Sequence, residues 1–170
     1  MIFMKNSLSG IYIKIIYVSI FCFLLLFVFL CYSVYYLDSN RMEPIIQKGS
    51  LIISQNFLYD LENEDVVLFS IKNKMPESKY PGIGKIIAKE GDSVYLKHGI
   101  IYVNGVEQKL NYEVNFLCPP GYYRKNSIVI PPDSFYIISP TQDSNDSRSV
   151  GLIKQCDVIG KIVNCILIPD

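Results

Sequence analysis

One segment of the chain has no polar face. From Ile15 to Val34 it reads IIYVSIFCFLLLFVFLCYSV, and the first acidic residue, Asp38, follows Leu37. Fourteen of these twenty residues are Leu, Ile, Val or Phe. Twenty residues at about 1.5 Å rise cover about 30 Å, the thickness of a hydrocarbon core. Such a composition favours insertion by roughly 4–8 kcal/mol. A buried helix of a soluble protein would be an unusual setting for a segment apolar on every face. A cleaved signal peptide would have a shorter apolar core and a small-x-small exit, whereas the exit here is Tyr35-Tyr36-Leu37-Asp38. The pattern predicts a cytoplasmic N-terminus over 1–14, a retained transmembrane helix over 15–37 and an extracytoplasmic domain over 38–170. Lys5 and Lys14 set the N-terminus inside, and Tyr32, Tyr35 and Tyr36 suit the far interface. The expectation is a single-pass protein of the cell membrane with its main domain extracellular.

After residue 38 the period changes. Ser50–Gln55 (SLIISQ), Val66–Ser70 (VVLFS), Lys85–Ala88 (KIIA), Ile128–Ile130 and Phe135–Ser139 (FYIIS) are short β-branched and aromatic runs bounded by Gly, Pro and Asn, the signature of strands. DSVYLKHGIIYVNGVEQ, residues 92–108, predicts a hairpin around His98-Gly99 and a second turn at Asn104-Gly105, with His98 as a turn residue. Helical periodicity is absent beyond a turn near Gly151–Gln155. The fold class is mainly β, with a hairpin-bearing excursion over 93–134 and one N-terminal transmembrane helix.

Composition removes several function classes. The chain has 170 residues with 16 basic and 16 acidic side chains, and no basic patch with interleaved aromatics, so nucleic acid is not an expected partner. Cys22 and Cys31 lie within the apolar run; Cys118, Cys156 and Cys165 lie beyond it without C-x-x-C spacing. With His98 the only histidine, no metal site and no cofactor are expected. The cysteines permit one disulfide with a leftover thiol, or none.

Four stretches carry chemistry in a fixed order. They are Met42-x-Pro44 followed by Gly49 and an apolar strand, EDVVLF over 64–69, GKIIAKEGDSV over 84–94, and DSNDSRSVG over 143–151. Each is weak alone. In this order behind an apolar span they resemble the type I signal peptidase family, membrane-anchored Ser/Lys endopeptidases that remove export signals. The resemblance implies that family's β-fold. Where EDVVLF stands, the family usually has Gly-Asp before the strand; the last stretch matches N-S-x-D-S-R-x-x-G. The family's Gly-Asp-Asn-Arg segment is replaced by Ser139-Pro140-Thr141-Gln142, one residue shorter.

The family's reaction needs a serine hydroxyl as nucleophile and a neutral lysine amine to take its proton. The resemblance puts Arg41 at the nucleophile position and Gly84, counted back from Gly91-Asp92, at the general-base position. Neither can serve: a guanidinium stays charged, and glycine has no side chain. The rest of the site is retained in outline. Ser39 matches the oxyanion-stabilising serine, Ser144 the serine that orients the lysine, and Asp146 and Arg148 the structural pair beside it, with Met42 and Pro44 framing the loop. A displaced dyad of Ser39 and Lys85 is the alternative. Successive strand residues face opposite ways, so Lys85 needs a bulge to turn inward if residue 84 faces the site. Ser39 lies about 6–7 Å along an extended chain from position 41, against the 3–3.5 Å or so that attack requires. Arg41 has two placements, across the space vacated at Gly84 towards Ser144 or Asp146, or in solvent.

The resemblance is to the dyad-lacking, signal-peptidase-like proteins of Gram-positive pilus assembly. It implies a membrane-anchored chaperone or assembly factor that binds exported proteins or peptides, with pilin subunits or their sortase as partners. The runners-up are an active signal peptidase using Ser39 and Lys85, and a tethered β-scaffold.

Overall fold

The structure, a computed structural model, describes residues 2–38, 40, 42–43, 45–70, 81–97, 100–108, 127–140 and 146–168. Helix α1 covers Ile2–Cys31. Its part Tyr12–Cys31 is long and apolar enough to cross a membrane, and its side chains are exposed from Tyr12 to Leu30, with Cys31 buried. The helix stops sooner than the apolar pattern predicts. Tyr32–Tyr36 (YSVYY) is not helical but forms strand β1, paired antiparallel with β2, Ser50–Gln55. The expected span to residue 37 is corrected here: an aromatic and β-branched alternation finds a partner strand, and hydrogen bonding to it replaces the helix.

The remaining strands are β3 (Val66–Phe69), β4 (Gly82–Ala88), β5 (Ser93–Lys97), β6 (Ile100–Val103), β7 (Val106–Glu107), β8 (Ile128–Val129), β9 (Ser134–Ile138), β10 (Ile153–Lys154) and β11 (Val158–Leu167). Helix α2 is the single turn Ser147–Val150, and a 3-10 turn covers Gln155–Asp157. The strands read from the sequence are present, with β4 starting earlier, at Gly82. Strands β10 and β11 were not legible as such, and the turn expected near 151–155 is a β10 pairing followed by the 3-10 turn.

Seven strands form one sheet in the order β1-β2-β11-β3-β4-β9-β10, and four form a second in the order β7-β6-β5-β8. The architecture is therefore mainly β with one N-terminal helix. The second sheet contains the hairpin, with Tyr95 stacked on its cross-strand partner Tyr102 at 4.8 Å between ring centroids.

Alternation along the strands sorts the core into three clusters. Leu37, Met42, Ile46 and Ile52 are buried together, with Val66 and Ile83 packed against them. Val67, Phe69, Ile86, Phe135, Ile137 and Ile153 form a second cluster. Since Val66 and Val67 are neighbours on β3, these two clusters lie on opposite faces of the large sheet. Ile87, Ala88, Val94, Ile101, Val103 and Ile130 join the end of β4 to the second sheet.

Candidate functional site

The loop between β1 and β2 holds the first motif. Leu37 N–H donates to Ser50 O at 2.9 Å and Gly49 N–H to Leu37 O at 2.9 Å, closing the loop at its base. Gly49 has φ +87°, a conformation that favours glycine. Met42, 1% exposed, pins the loop to the core, and Ile46 N–H donates to Met42 O at 2.9 Å. Ser39, Arg41 and Pro44 lie outside the described residues, as does Ser144, so the two placements of Arg41 are not distinguished.

Position 84 lies in the middle of β4, opposite Val67 on β3. A Cβ built there would stand 2.6 Å from Ile137 Cγ2 and 3.0 Å from Ile138 O. Gly82, two residues back on the same face, lies directly beneath the Phe69 ring, which leaves no room for a side chain. Phe69 and Ile137 are both fully buried. The face of β4 at positions 82 and 84 is thus filled, with an aromatic ring over one glycine and an aliphatic side chain over the other. Glycine in a strand permits this close approach. The Ser139 hydroxyl donates to Ile83 O and holds β9 against β4 beside the same point.

Lys85 points to the other face, as alternation requires. That face carries Ile83 and Val66, which pack on the Met42 cluster. Its Nζ is ion-paired with Glu64; an ammonium in such a pair has no lone pair with which to take a proton. Glu64 occupies φ +79°, an uncommon conformation for a residue with a side chain. Its N–H donates to Ile86 O at 2.8 Å, so the tight turn into β3 is fixed by the backbone. Here a carboxylate stands at a position whose backbone suits glycine, and it is the carboxylate that captures Lys85.

The D-S-R segment is a clamp. Asp146 is fully buried and N-caps α2, accepting from Arg148 N at 3.0 Å. Arg148 Nε donates to both carboxylate oxygens, at 2.9 and 3.0 Å, and its Nη2 reaches Ser139 O at 2.9 Å. Ser139 N–H returns a bond to Asp146 Oδ2 at 2.9 Å, and Ile137 N–H donates to Ser147 Oγ at 2.8 Å. The segment therefore fixes the end of β9, including Ile137, over Gly84. The role of Ile137 was not legible in the sequence, because the register that brings β9 to β4 has no local signal.

Gly91-Asp92 is also structural. Gly91 has φ +84°, and Asp92 accepts from Lys89 N at 2.9 Å, Asn104 Nδ2 at 2.8 Å and Asn63 Nδ2 at 3.3 Å. Burial pushes this carboxyl up, but these hydrogen bonds and the Lys89 charge outweigh it and hold it below the usual carboxylate range. Asp92 thereby ties β4 to the hairpin turn of the second sheet. Among the described residues no three His, Cys, Asp or Glu side chains converge as a metal site, and Cys22, Cys31, Cys156 and Cys165 are unbridged.

The sequence matches a known class. Residues 10–167 match the model of the family described as signal peptidase, peptidase S26, and the chain belongs to that family. It is similar to a probable signal peptidase I-2 of Synechocystis sp. strain PCC 6803, 26% identical over 132 residues, which cover 74% of this chain and 59% of the relative. It is also similar to an inactive signal peptidase IA of Staphylococcus aureus strain COL, 28% identical over 135 residues, 74% of each chain. A solved signal peptidase I from Enterococcus faecalis V583 overlays with a TM-score of 0.46 at 19% identity, covering 62% of this chain and 98% of that one.

Proposed function

We propose that this protein is a membrane-tethered member of the signal peptidase family that has lost the Ser/Lys dyad and binds exported proteins or peptides without cleaving them. The observation that carries this reading is the filled face of β4. Position 84 has no amine, and Ile137 occupies the space into which one would extend. The relatives named inactive signal peptidase IA support the reading. Arg41 holds the nucleophile position and cannot attack a carbonyl. What remains is a buried scaffold, with the Met42 loop, the Asp146–Arg148 clamp and the Gly91-Asp92 turn all intact. A strand edge on such a scaffold recognises an extended peptide through main-chain hydrogen bonds, which require neither serine nor lysine. The partners are exported pilin subunits or their sortase, and the role is that of a chaperone or assembly factor in pilus biogenesis, with α1 inserted N-terminus inside.

A second reading, an active peptidase using Ser39 and Lys85, is favoured by one observation. Lys85 lies on the sheet face that carries the Met42 cluster. Its ion pair with Glu64 opposes that reading. Incubating the purified full chain with a signal-peptide substrate and with pilin separates the two. Retention of uncleaved pilin is the expected result. Cleavage that is abolished by Ser39→Ala or Lys85→Ala overturns the binding-only function.

A further inference from the structure

The loop after β2 is built in an unusual way. Strand β1 starts directly after α1, and β2 returns antiparallel to it, so that Gln55 lies opposite Tyr32. The next residues are thereby brought back to the end of the helix, where Asn56 N–H donates to Cys31 O at 2.8 Å. The Asn56 side chain bonds Ser33 Oγ and accepts from Ser54 Oγ. Gly160 lies so close to Ser54 and Asn56 that a side chain there has no room. Gln55 Nε2 donates to Phe57 O at 3.1 Å and Leu58 O at 2.9 Å.

This polar frame holds two apolar side chains outward. Phe57 is 60% exposed and Leu58 71%, the most exposed large apolar side chain beyond α1 among the described residues. Leu58 also has φ +56°, a left-handed conformation that a branched side chain rarely adopts. In water the arrangement is unfavourable twice over, in exposed apolar area and in backbone conformation. In a lipid interface the same area is removed from water. No charged residue lies between Gln55 and Tyr59, so the tip itself carries no charge into the interface; the first acid, Asp60, follows Tyr59.

We infer that Phe57 and Leu58 insert into the lipid interface of the membrane crossed by α1, beside the point where the chain leaves it, and so fix the stand-off of the β domain. The inference rests on α1 being a membrane span. The chain contains no tryptophan, so each introduced tryptophan is the sole one. In the full chain reconstituted into phosphatidylethanolamine–phosphatidylglycerol vesicles, Phe57→Trp should emit blue-shifted light. It should lose most of that emission when the lipids are brominated near the top of their acyl chains. Val106→Trp, on β7, is the control: β4 runs in the direction of β1, away from the end of α1, and the second sheet follows its far end. Its emission should stay red and unquenched. Phe23→Trp, within α1, reports the span through lipids brominated deep in the chains. Quenching at Phe23 without quenching at Phe57 overturns the loop assignment and leaves the span standing. No quenching at Phe23 overturns the span, and the loop assignment with it. A blue shift at Phe57 that bromolipid does not quench identifies contact with protein, such as a second copy, and also overturns the inference.

Discussion

Adding one carbon to Gly84 tests whether the space beside it is filled or merely empty. In an open strand position, Gly→Ala restricts the unfolded chain and stabilises by about 0.4–1 kcal/mol. Here the new Cβ would meet Ile137 Cγ2 at 2.6 Å and Ile138 O at 3.0 Å, well inside normal van der Waals separation. The Ile138 carbonyl is backbone and cannot rotate away; Ile137 is fully buried, so its side chain has nowhere to go. Overpacking of this kind costs about 1–3 kcal/mol, so the two effects together predict a net loss of about 1–2 kcal/mol. Ile137→Ala alone should cost about 2–5 kcal/mol through the cavity it leaves. The double variant separates steric conflict from general fragility. The new methyl enters the cavity, so the double variant should be more stable than the sum of the singles by about 1 kcal/mol, within the usual range for contacting residues. Denaturant unfolding of the detergent-solubilised chain, followed by tyrosine near-ultraviolet circular dichroism, reads each value from the midpoint, provided the slope is unchanged. A neutral or stabilising Gly84→Ala, or strict additivity in the double variant, refutes the reasoning and means the space is open. By the same geometry, Arg41→Ser with Gly84→Lys should not restore cleavage, since the new side chain meets Ile137 on the sheet face opposite the Met42 cluster.

Three further outcomes follow from the same contacts. Asp146→Asn should destabilise by about 3–5 kcal/mol, since it leaves the Arg148 guanidinium without its buried partner; the same unfolding assay measures it. Asp92 has a carboxyl held below its unfolded value, so its contribution is complete above the ordinary carboxylate pKa and is lost as pH falls through the lower folded value. Asp92→Asn should therefore lower the melting temperature at neutral pH and flatten its decline in acid, and an unchanged acid limb would exclude Asp92 as a source of that decline. Glu64→Gly relieves a φ of +79°, worth roughly 1–3 kcal/mol, and gives up an ion pair whose carboxylate is largely exposed, worth up to about 1 kcal/mol. It should thus be neutral to stabilising, whereas Glu64→Ala, which loses the pair and keeps the strain, should destabilise.

What the sequence made legible is what local chemistry dictates. SLIISQ alternates and is β2, and the Asn104-Gly105 turn follows β6; the cap that Asp146 provides to α2 was not read from the sequence. The long apolar helix was legible from length and composition, but its end was not, because Tyr32–Tyr36 is apolar enough to continue the helix and becomes a strand only through β2. The site divides in the same way. That position 84 is glycine is plain in the sequence. That its space is occupied depends on the β4–β9 register, in which Ile86 pairs with Ile137 and a bulge follows before Ala88. Glu64 was visible where the family usually has glycine; the positive φ and the capture of Lys85 were not, since both arise from the turn that leads into β3.

The packing around position 84 bears on the proposed loss of the dyad. A chain that had lost only the lysine would hold a void along β4, and voids in a core cost stability in proportion to their volume. In this chain Ile137 packs onto Gly84 and Phe69 onto Gly82, and the Ser139 bond to Ile83 O and the Asp146–Arg148 clamp hold β9 in that position. Restoring the lysine alone meets the isoleucine, and shrinking the isoleucine alone leaves a cavity. Each single step back towards an amine at this point destabilises the fold. On the proposed reading, packing therefore keeps position 84 closed to a side chain.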